Sequence, residues 1–136
     1  LSQTHKHLPE MAAVCGLQSP PIFCPIVADF YSGMVVTVPL FAHQLAPGAT
    51  AADVKAALKD AYGGSIVRYT ETADADGFLS AAALAGKDAM EIAVFGNEAR
   101  ILLTARYDNL GKGASGAAVE CVNLVLGVDP ATGLNL

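Results

Sequence analysis

The segment from Asp108 to Ala118 concentrates the residue types that could bind a polar ligand. It contains three glycines, at positions 111, 113 and 116, together with Lys112 and several small residues. Glycines let a backbone approach a ligand closely, and the amides at the start of a helix point at the ligand with a partial positive charge. We therefore predict a strand-to-helix junction with a binding role. A tight turn that only packs the helix stays open as an alternative, because Lys112 does not stand in a P-loop spacing.

A second cluster of chemically capable residues lies near the start of the chain. His5, Lys6, His7 and Glu10 occur close together, and in an extended segment His5 and His7 would share one face. Two imidazoles and a carboxylate can form a general acid or base, because imidazole titrates close to neutral pH. The polar end of a strand is the alternative. A third candidate is the turn 31–34, Tyr-Ser-Gly-Met, which by residue type alone is more typical of a plain turn.

Taken together, these motifs resemble the N-acetyl-gamma-glutamyl-phosphate reductase family, the acyl-phosphate reductases of arginine biosynthesis, and more closely the shorter of its two forms. The resemblance rests on the run Thr-His-Lys-His-Leu-Pro-Glu at 4–10, on the Asp-Asn-Leu-Gly-Lys-Gly-Ala run at 108–114 and on the turn at Ser32. It extends from His5 to about Gly127, although the discriminating motifs lie only at the two ends and in this turn.

The resemblance implies an NADPH-dependent reduction of N-acetyl-glutamyl 5-phosphate to the 5-semialdehyde with release of phosphate. In the family a cysteine thiolate attacks the acyl phosphate, and NADPH supplies the hydride. The implied catalytic residues are His5 as the acid/base and His7 with Glu10 as positioning groups. The implied cofactor contacts are Asn109, Lys112 and Gly113. The implied substrate contacts are Ser32 and Gly33, although the longer family form tends to have an arginine at the position of Ser32.

Two parts of the family's machinery are not found in the sequence. None of the three cysteines has the Asn-Pro-Gly-Cys-Tyr setting of the family nucleophile, and the Gly-rich dinucleotide-binding turn is missing. We therefore expect residues 1–136 to be a single substrate-binding and dimerisation domain of a longer two-domain enzyme. NADP would be bound mainly by the other domain, and this chain alone would be inactive. A start at Leu1, in a predicted strand and without Met, agrees with this expectation.

Composition limits the partners of the chain. A length of 136 residues suits one domain, and the longest apolar run, from Met34 to Ala42, is far shorter than the ~20 residues of a membrane span. The formal net charge is −5 and no Lys/Arg stripe is present, which argues against nucleic acid. No signal peptide is recognisable. We expect a cytoplasmic protein with a small-molecule substrate and no membrane partner.

The cysteines, Cys15, Cys24 and Cys121, are odd in number and have apolar neighbours. They are predicted to be free, buried, structural thiols of a reducing compartment. No Cys or His spacing is typical of a metal site, so no metal is expected.

The hydrophobic pattern predicts a succession of helices and strands. Predicted strands span 2–7, 22–27, 34–41, 65–70, 79–85, 90–95 and 101–107. Predicted helices span 9–16, about 50–62 and 112–126. The segment 34–41 is apolar on both faces and is predicted to be covered on both sides at the centre of the core. The last helix is predicted to pack through an apolar face formed by Ala118, Cys121, Val122 and Val125.

This order of elements favours an α+β fold, with an antiparallel or mixed sheet and helices on one face. The resemblance implies the C-terminal domain of glyceraldehyde-3-phosphate-dehydrogenase-like enzymes, whose sheet forms the dimer interface, and hence a homodimer or homotetramer. Two alternatives remain open at this point. One is an aspartate-semialdehyde-dehydrogenase-like acyl-phosphate reductase domain, and the other is a non-catalytic α+β oligomerisation or binding module.

Overall fold

A four-stranded mixed sheet organises the protein in the computed structural model, which describes residues 2–136. The strands are β1 (Met34–Phe41), β2 (Val67–Tyr69), β3 (Met90–Gly96) and β4 (Arg100–Tyr107). Their order in the sheet is β1-β4-β3-β2, with β2 parallel to β3 and the other pairs antiparallel. The helices are α1 (His7–Cys15), α2 (Ala51–Ala61) and α3 (Gly116–Leu126). The predicted α+β class with a mixed sheet is confirmed.

The hairpin of β3 and β4 forms the centre of the sheet. The two strands pair from Met90 opposite Tyr107 to Gly96 opposite Ile101. The Asn97 side chain closes the turn, because its Oδ1 accepts hydrogen bonds from the amides of Ala99 and Arg100. The hairpin therefore places Asp108, which follows the last residue of β4, at the end of the strands that is remote from this turn.

Helix α2 covers one face of the sheet. It begins with the predicted capping box, in which the Thr50 hydroxyl accepts from the Asp53 amide and the Asp53 carboxylate accepts from the Thr50 amide. Its apolar side packs on Ile101, which is 1% exposed, and on Val94. This small cluster is the main apolar core of the described residues.

Two predicted strands near the start of the chain are not strands. Residues 4–7 turn into α1, which starts at His7 because Pro9 suits a first helical turn and the Leu8 amide bonds the His5 carbonyl. Residues 22–27 belong to no strand of the sheet. Pro25 within this segment lacks an amide hydrogen, which disfavours a strand ladder.

The predicted strand 79–85 is also wrong, and the hairpin predicted across 86–88 does not form. The segment is a series of turns. It is rich in alanine and poor in β-branched residues, so it lacks the side chains that favour a strand. The short β2, paired in parallel with β3, occupies the edge of the sheet instead.

Strand β1 forms where it was predicted, but it is not central. It pairs only with β4, at the opposite edge of the sheet from β2, and most of its side chains are exposed. The predicted apolar face of α3 is exposed as well, since Gly116 and Asn123 are the buried residues of this helix. All three cysteines are free and exposed, so their predicted burial is wrong. Among residues 2–136, no helix is long and apolar enough to cross a membrane.

Neighbouring residues of β4 provide a matched test of this core. Ile101 faces the α2 cluster and Leu102, which is 40% exposed, points to the other face. Ile101→Ala should lower the free energy of unfolding by about 2–4 kcal/mol, because it leaves a cavity. Leu102→Ala should cost less than about 1 kcal/mol. Chemical denaturation of both variants measures this, and equal losses would contradict the described core.

Candidate functional site

The carboxylate of Asp108 joins three separate segments of the chain. It is 2% exposed and follows directly after β4. Its Oδ2 accepts hydrogen bonds from the Ser32 hydroxyl at 2.8 Å and from the Gly86 amide at 2.5 Å. Its Oδ1 accepts from the amides of Leu110 at 2.7 Å and Gly111 at 3.1 Å. One side chain therefore holds the turn at 32, the turn at 86 and the junction after β4 together.

The same contacts set the charge of Asp108. Burial alone would raise its pKa, but the hydrogen bonds from Gly86, Ser32, Gly111 and Leu110 stabilise the charged form more strongly and lower the pKa to about 2. Asp108 is thus a permanent anion at neutral pH. A carboxylate with four donors on its two oxygens acts as a structural anchor, and it is a poor general base.

Asn109 connects the junction to the turn before β1. Its Oδ1 accepts a hydrogen bond of 2.8 Å from the Gly33 amide, which fixes the orientation of the side-chain amide. Within residues 2–136, the Nδ2 group of Asn109 makes no hydrogen bond to protein. The half-buried side chain therefore offers a ligand the two hydrogens of an oriented Nδ2, and its oxygen already accepts one hydrogen bond.

The glycines of the junction divide into two groups. A Cβ at Gly111 would lie 2.5 Å from the Lys87 carbonyl oxygen, and a Cβ at Gly116 would collide with the Asp88 carboxylate. These two positions are therefore glycine because of internal packing. Gly113 is exposed, in a turn of π-helix (Gly111–Ser115) that precedes α3. Such turns are frequent at functional sites.

Lys112 is held inside the structure by an ion pair. Its Nζ lies 2.5 Å from Glu120 Oε2, and the Lys112 side chain is largely buried. An ammonium has three hydrogens, so two of them remain for other acceptors. The interaction ties this cation to α3, which contains Glu120, and fixes its position.

An open cleft of about 520 Å³ runs between the junction and the two turns. Its lining includes the anchor and its donors as well as Asp88 and the exposed ring of Tyr31. The full lining is Tyr31, Ser32, Ala85, Gly86, Asp88, Asp108, Leu110, Gly111 and Ser115. The structure thus brings together two of the three motifs that the sequence singled out, the turn at Ser32 and the junction.

The histidine pair forms a separate, exposed cluster. The His5 and His7 rings meet edge to face with 4.7 Å between centroids, and the His5 ring lies 4.9 Å from that of Phe23. The His7 amide donates to His5 Nδ1 at 3.3 Å, which places the proton of neutral His5 on Nε2. Glu10 is one helical turn after His7 and is also exposed. No hydrogen bond among residues 2–136 links this cluster to the Asp108 anchor.

Several residues of the site were not found by sequence reasoning. The turn 86–88 was interpreted as a hairpin turn, whereas it contacts the junction through Gly86 and Asp88. Outside the cleft, the Glu91 carboxylate on β3 lies between Arg68 and Arg106, and this part-buried group was not predicted either. Burial raises the pKa of Glu91, and the hydrogen bonds from both arginines lower it by more. Among residues 2–136, no cluster of three or more His, Cys, Asp or Glu side chains could hold a metal ion.

Comparison with known proteins finds one family model and a set of relatives that share one name. Residues 1–109 match the family model described as semialdehyde dehydrogenase, dimerisation domain. The chain is 48% identical over 125 residues to a protein named N-acetyl-gamma-glutamyl-phosphate reductase from Sinorhizobium fredii, with 90% of this chain and 41% of the relative covered. Proteins of the same name from Sinorhizobium medicae and Brucella ovis are 44% and 45% identical, with 93% and 90% of this chain and 42% and 41% of the relative covered. The chain spans about two fifths of the length of the curated relatives it matches.

The lowered pKa of Asp108 predicts an acid-dependent contribution to stability. Because the folded pKa of about 2 is below the ordinary 3.8, the anchor contributes about 2 kcal/mol above pH 4, which is lost as the pH falls through 2. Asp108→Asn should therefore destabilise the fold at pH 7, and the difference from the unmodified protein should shrink between about pH 4 and pH 2. Asp60→Asn, on the exposed side of α2, is the control. A difference that stays constant down to pH 2 would contradict the anchor.

Proposed function

The chain belongs to the semialdehyde dehydrogenase dimerisation-domain family, and from this premise we propose that it is the substrate-binding and dimerisation part of an NADPH-dependent N-acetyl-gamma-glutamyl-phosphate reductase. The observation that carries the proposal is the similarity of about nine tenths of the chain to proteins of that name. The proposed reaction replaces the phosphate of N-acetyl-glutamyl 5-phosphate by hydride. Its products are the 5-semialdehyde and inorganic phosphate.

The junction after β4 has groups that fit a nicotinamide. A carboxamide has a carbonyl oxygen that needs a donor, and Asn109 Nδ2 is an oriented donor without a protein partner. Lys112 belongs to the same turn and keeps two ammonium hydrogens for other acceptors, although Glu120 balances its charge, and the Gly113 backbone is exposed beside it. When bound, NADPH would supply the hydride. The residues of this chain would orient its nicotinamide end, and most of the dinucleotide would be bound by another part of the protein.

The turn before β1 is the proposed substrate contact. Ser32 lines the cleft and Gly33 follows it in the same turn, but each already donates a hydrogen bond, to Asp108 and Asn109 respectively. The Ser32 hydroxyl can therefore still offer a substrate its acceptor lone pairs, whereas its proton is engaged. We assign these two residues the role of shaping the substrate side of the cleft.

The histidine pair is the proposed proton-transfer site. An acyl-phosphate reductase needs a group that takes up and returns protons as a thiolate attacks and the aldehyde is released. His5 presents an exposed Nε2 while its Nδ1 accepts from the His7 amide, so its orientation is defined. His7 and Glu10 lie beside it at the start of α1. We assign acid/base chemistry to His5 and positioning to the other two.

Association of two copies through the sheet is consistent with a family described as a dimerisation domain. The β1 edge strand exposes four large apolar side chains, the first three of which lie on one face. They are Met34, Val36, Val38 and Phe41. Apolar strands of this kind are normally covered, either by pairing or by packing. We propose that a second copy covers this edge in a homodimer.

The activity itself is testable with the full-length protein that contains this chain. We expect NADPH oxidation, followed at 340 nm, with N-acetyl-glutamyl phosphate as substrate, and much slower oxidation with aspartyl phosphate. The reverse preference would favour an aspartate-semialdehyde-dehydrogenase-like enzyme. Absence of turnover with both acyl phosphates would favour a non-catalytic oligomerisation module.

The roles of the two histidines are separable by substitution in the same protein. His5→Asn should lower kcat by roughly 10²–10⁴-fold with little change in KM, because a general acid/base acts in the transition state. His7→Asn should have a smaller effect. His43→Asn replaces an exposed histidine elsewhere on the surface and serves as the control. A larger effect at His7 than at His5 would show that the two roles are exchanged.

A further inference from the structure

We propose that Asn135 is a positioning residue for the dinucleotide end of the active site, acting through the turn 86–88 on the junction that carries Asn109. The inference rests on the proposed reductase function for its kinetic consequence. The contacts themselves are independent of that function. Asn135 lies in the last residues of the chain, far in sequence from both segments that it would hold.

Asn135 uses its backbone and its side chain to bind three consecutive residues. Its amide donates to Asp88 Oδ2 at 2.9 Å, and its carbonyl accepts from the Asp88 amide at 2.8 Å. Its Nδ2 donates to the Gly86 carbonyl at 2.7 Å, and its Oδ1 accepts from Lys87 Nζ at 3.2 Å. Every hydrogen-bonding group of this residue therefore contacts the turn 86–88. Such a set of bonds leaves the turn little freedom to rotate.

The other side of the same turn faces the junction. The Gly86 amide donates to Asp108 Oδ2 at 2.5 Å, so the peptide held by Asn135 is next to the peptide that supports the anchor. Lys87 and Asp88 fill the space beside Gly111 and Gly116, where no Cβ fits. A shift of the turn by a few tenths of an ångström would therefore displace both the anchor and the π-helical turn.

The last step leads to the proposed cofactor contact. Asp108 and Asn109 are adjacent, and Asn109 is tied only through its Oδ1 to Gly33. The Nδ2 donor has to lie within hydrogen-bond distance of a ligand atom. Small displacements of the backbone at 108–109 therefore weaken that hydrogen bond. Loosening the turn should thus weaken dinucleotide binding, and the transfer of protons at the histidine pair should be unaffected.

The alternative is that the segment after α3, residues 128–136 (the tail), only stabilises the fold. A substitution of Asn123 tests this alternative. Asn123 is a buried asparagine of α3 whose Nδ2 donates to the carbonyls of Pro130 and Thr132, at 3.0 and 2.8 Å. It holds the same tail but makes no side-chain hydrogen bond to the turn 86–88. Asn123→Ala is therefore a matched control for loss of tail contacts.

The experiment compares Asn135→Ala, Asn135→Asp and Asn123→Ala in the full-length protein. Asn135→Asp retains the acceptor for Lys87 and replaces the donor to Gly86 by a carboxylate oxygen, which repels the Gly86 carbonyl. Both Asn135 variants should raise KM for NADPH by roughly fivefold, with kcat and its pH profile changed less than about twofold. Both should also speed hydrogen exchange of the Gly86 amide by about tenfold. Asn123→Ala should lower the melting temperature at least as much and leave KM for NADPH unchanged.

The possible results separate the two proposals. An unmodified protein that does not oxidise NADPH with any acyl phosphate overturns the proposed reductase function and, with it, the kinetic role of Asn135. In an active protein, unchanged exchange of the Gly86 amide in both Asn135 variants overturns the positioning role. Faster exchange with unchanged KM also overturns it, and so does an equal rise of KM in Asn123→Ala.

Discussion

The buried Asp108 carboxylate is the interaction on which the arrangement of the site depends. It follows the last residue of β4 and accepts four hydrogen bonds, two from segments distant in sequence and two from the junction that follows it. A buried anion needs several donors to offset its lost hydration, so the segments cannot separate without leaving the charge unsatisfied. Asp108 thereby fixes the positions of the turn at Ser32, the turn at Gly86 and the start of α3 relative to one another.

Around this anchor, packing and ligand chemistry are divided among residues that look alike in the sequence. Gly111 and Gly116 are glycines because the neighbouring turn occupies the space of a side chain. Asn109 has one end committed to Gly33 and one end free. The glycine-rich pattern alone does not distinguish these uses, because a missing Cβ serves equally a close internal neighbour and a close ligand. The free donor of Asn109 is therefore a stronger indication of a ligand than the number of glycines.

Exposed apolar side chains are concentrated on two elements of the fold. The edge strand β1 and much of α3 expose large apolar side chains. The chain matches a family described as a dimerisation domain, and an exposed apolar surface of this kind suits the second copy proposed above. The core that is complete within residues 2–136 is correspondingly small. It consists mainly of the α2 cluster on Val94 and Ile101.

The sequence by itself determined what depends on local chemistry. Short apolar segments bounded by turn residues predicted β3 and β4, the pair Thr50 and Asp53 predicted the start of α2, and the motifs at both ends of the chain indicated the family. Only the tertiary structure decided what depends on distant partners. Strand order placed β1 at an edge, because pairing energy depends on which strands meet and not on the apolarity of one strand. The anchoring role of Asp108 and the contacts of Asn135 depend on residues 20–80 positions away, so no local pattern in the sequence records them.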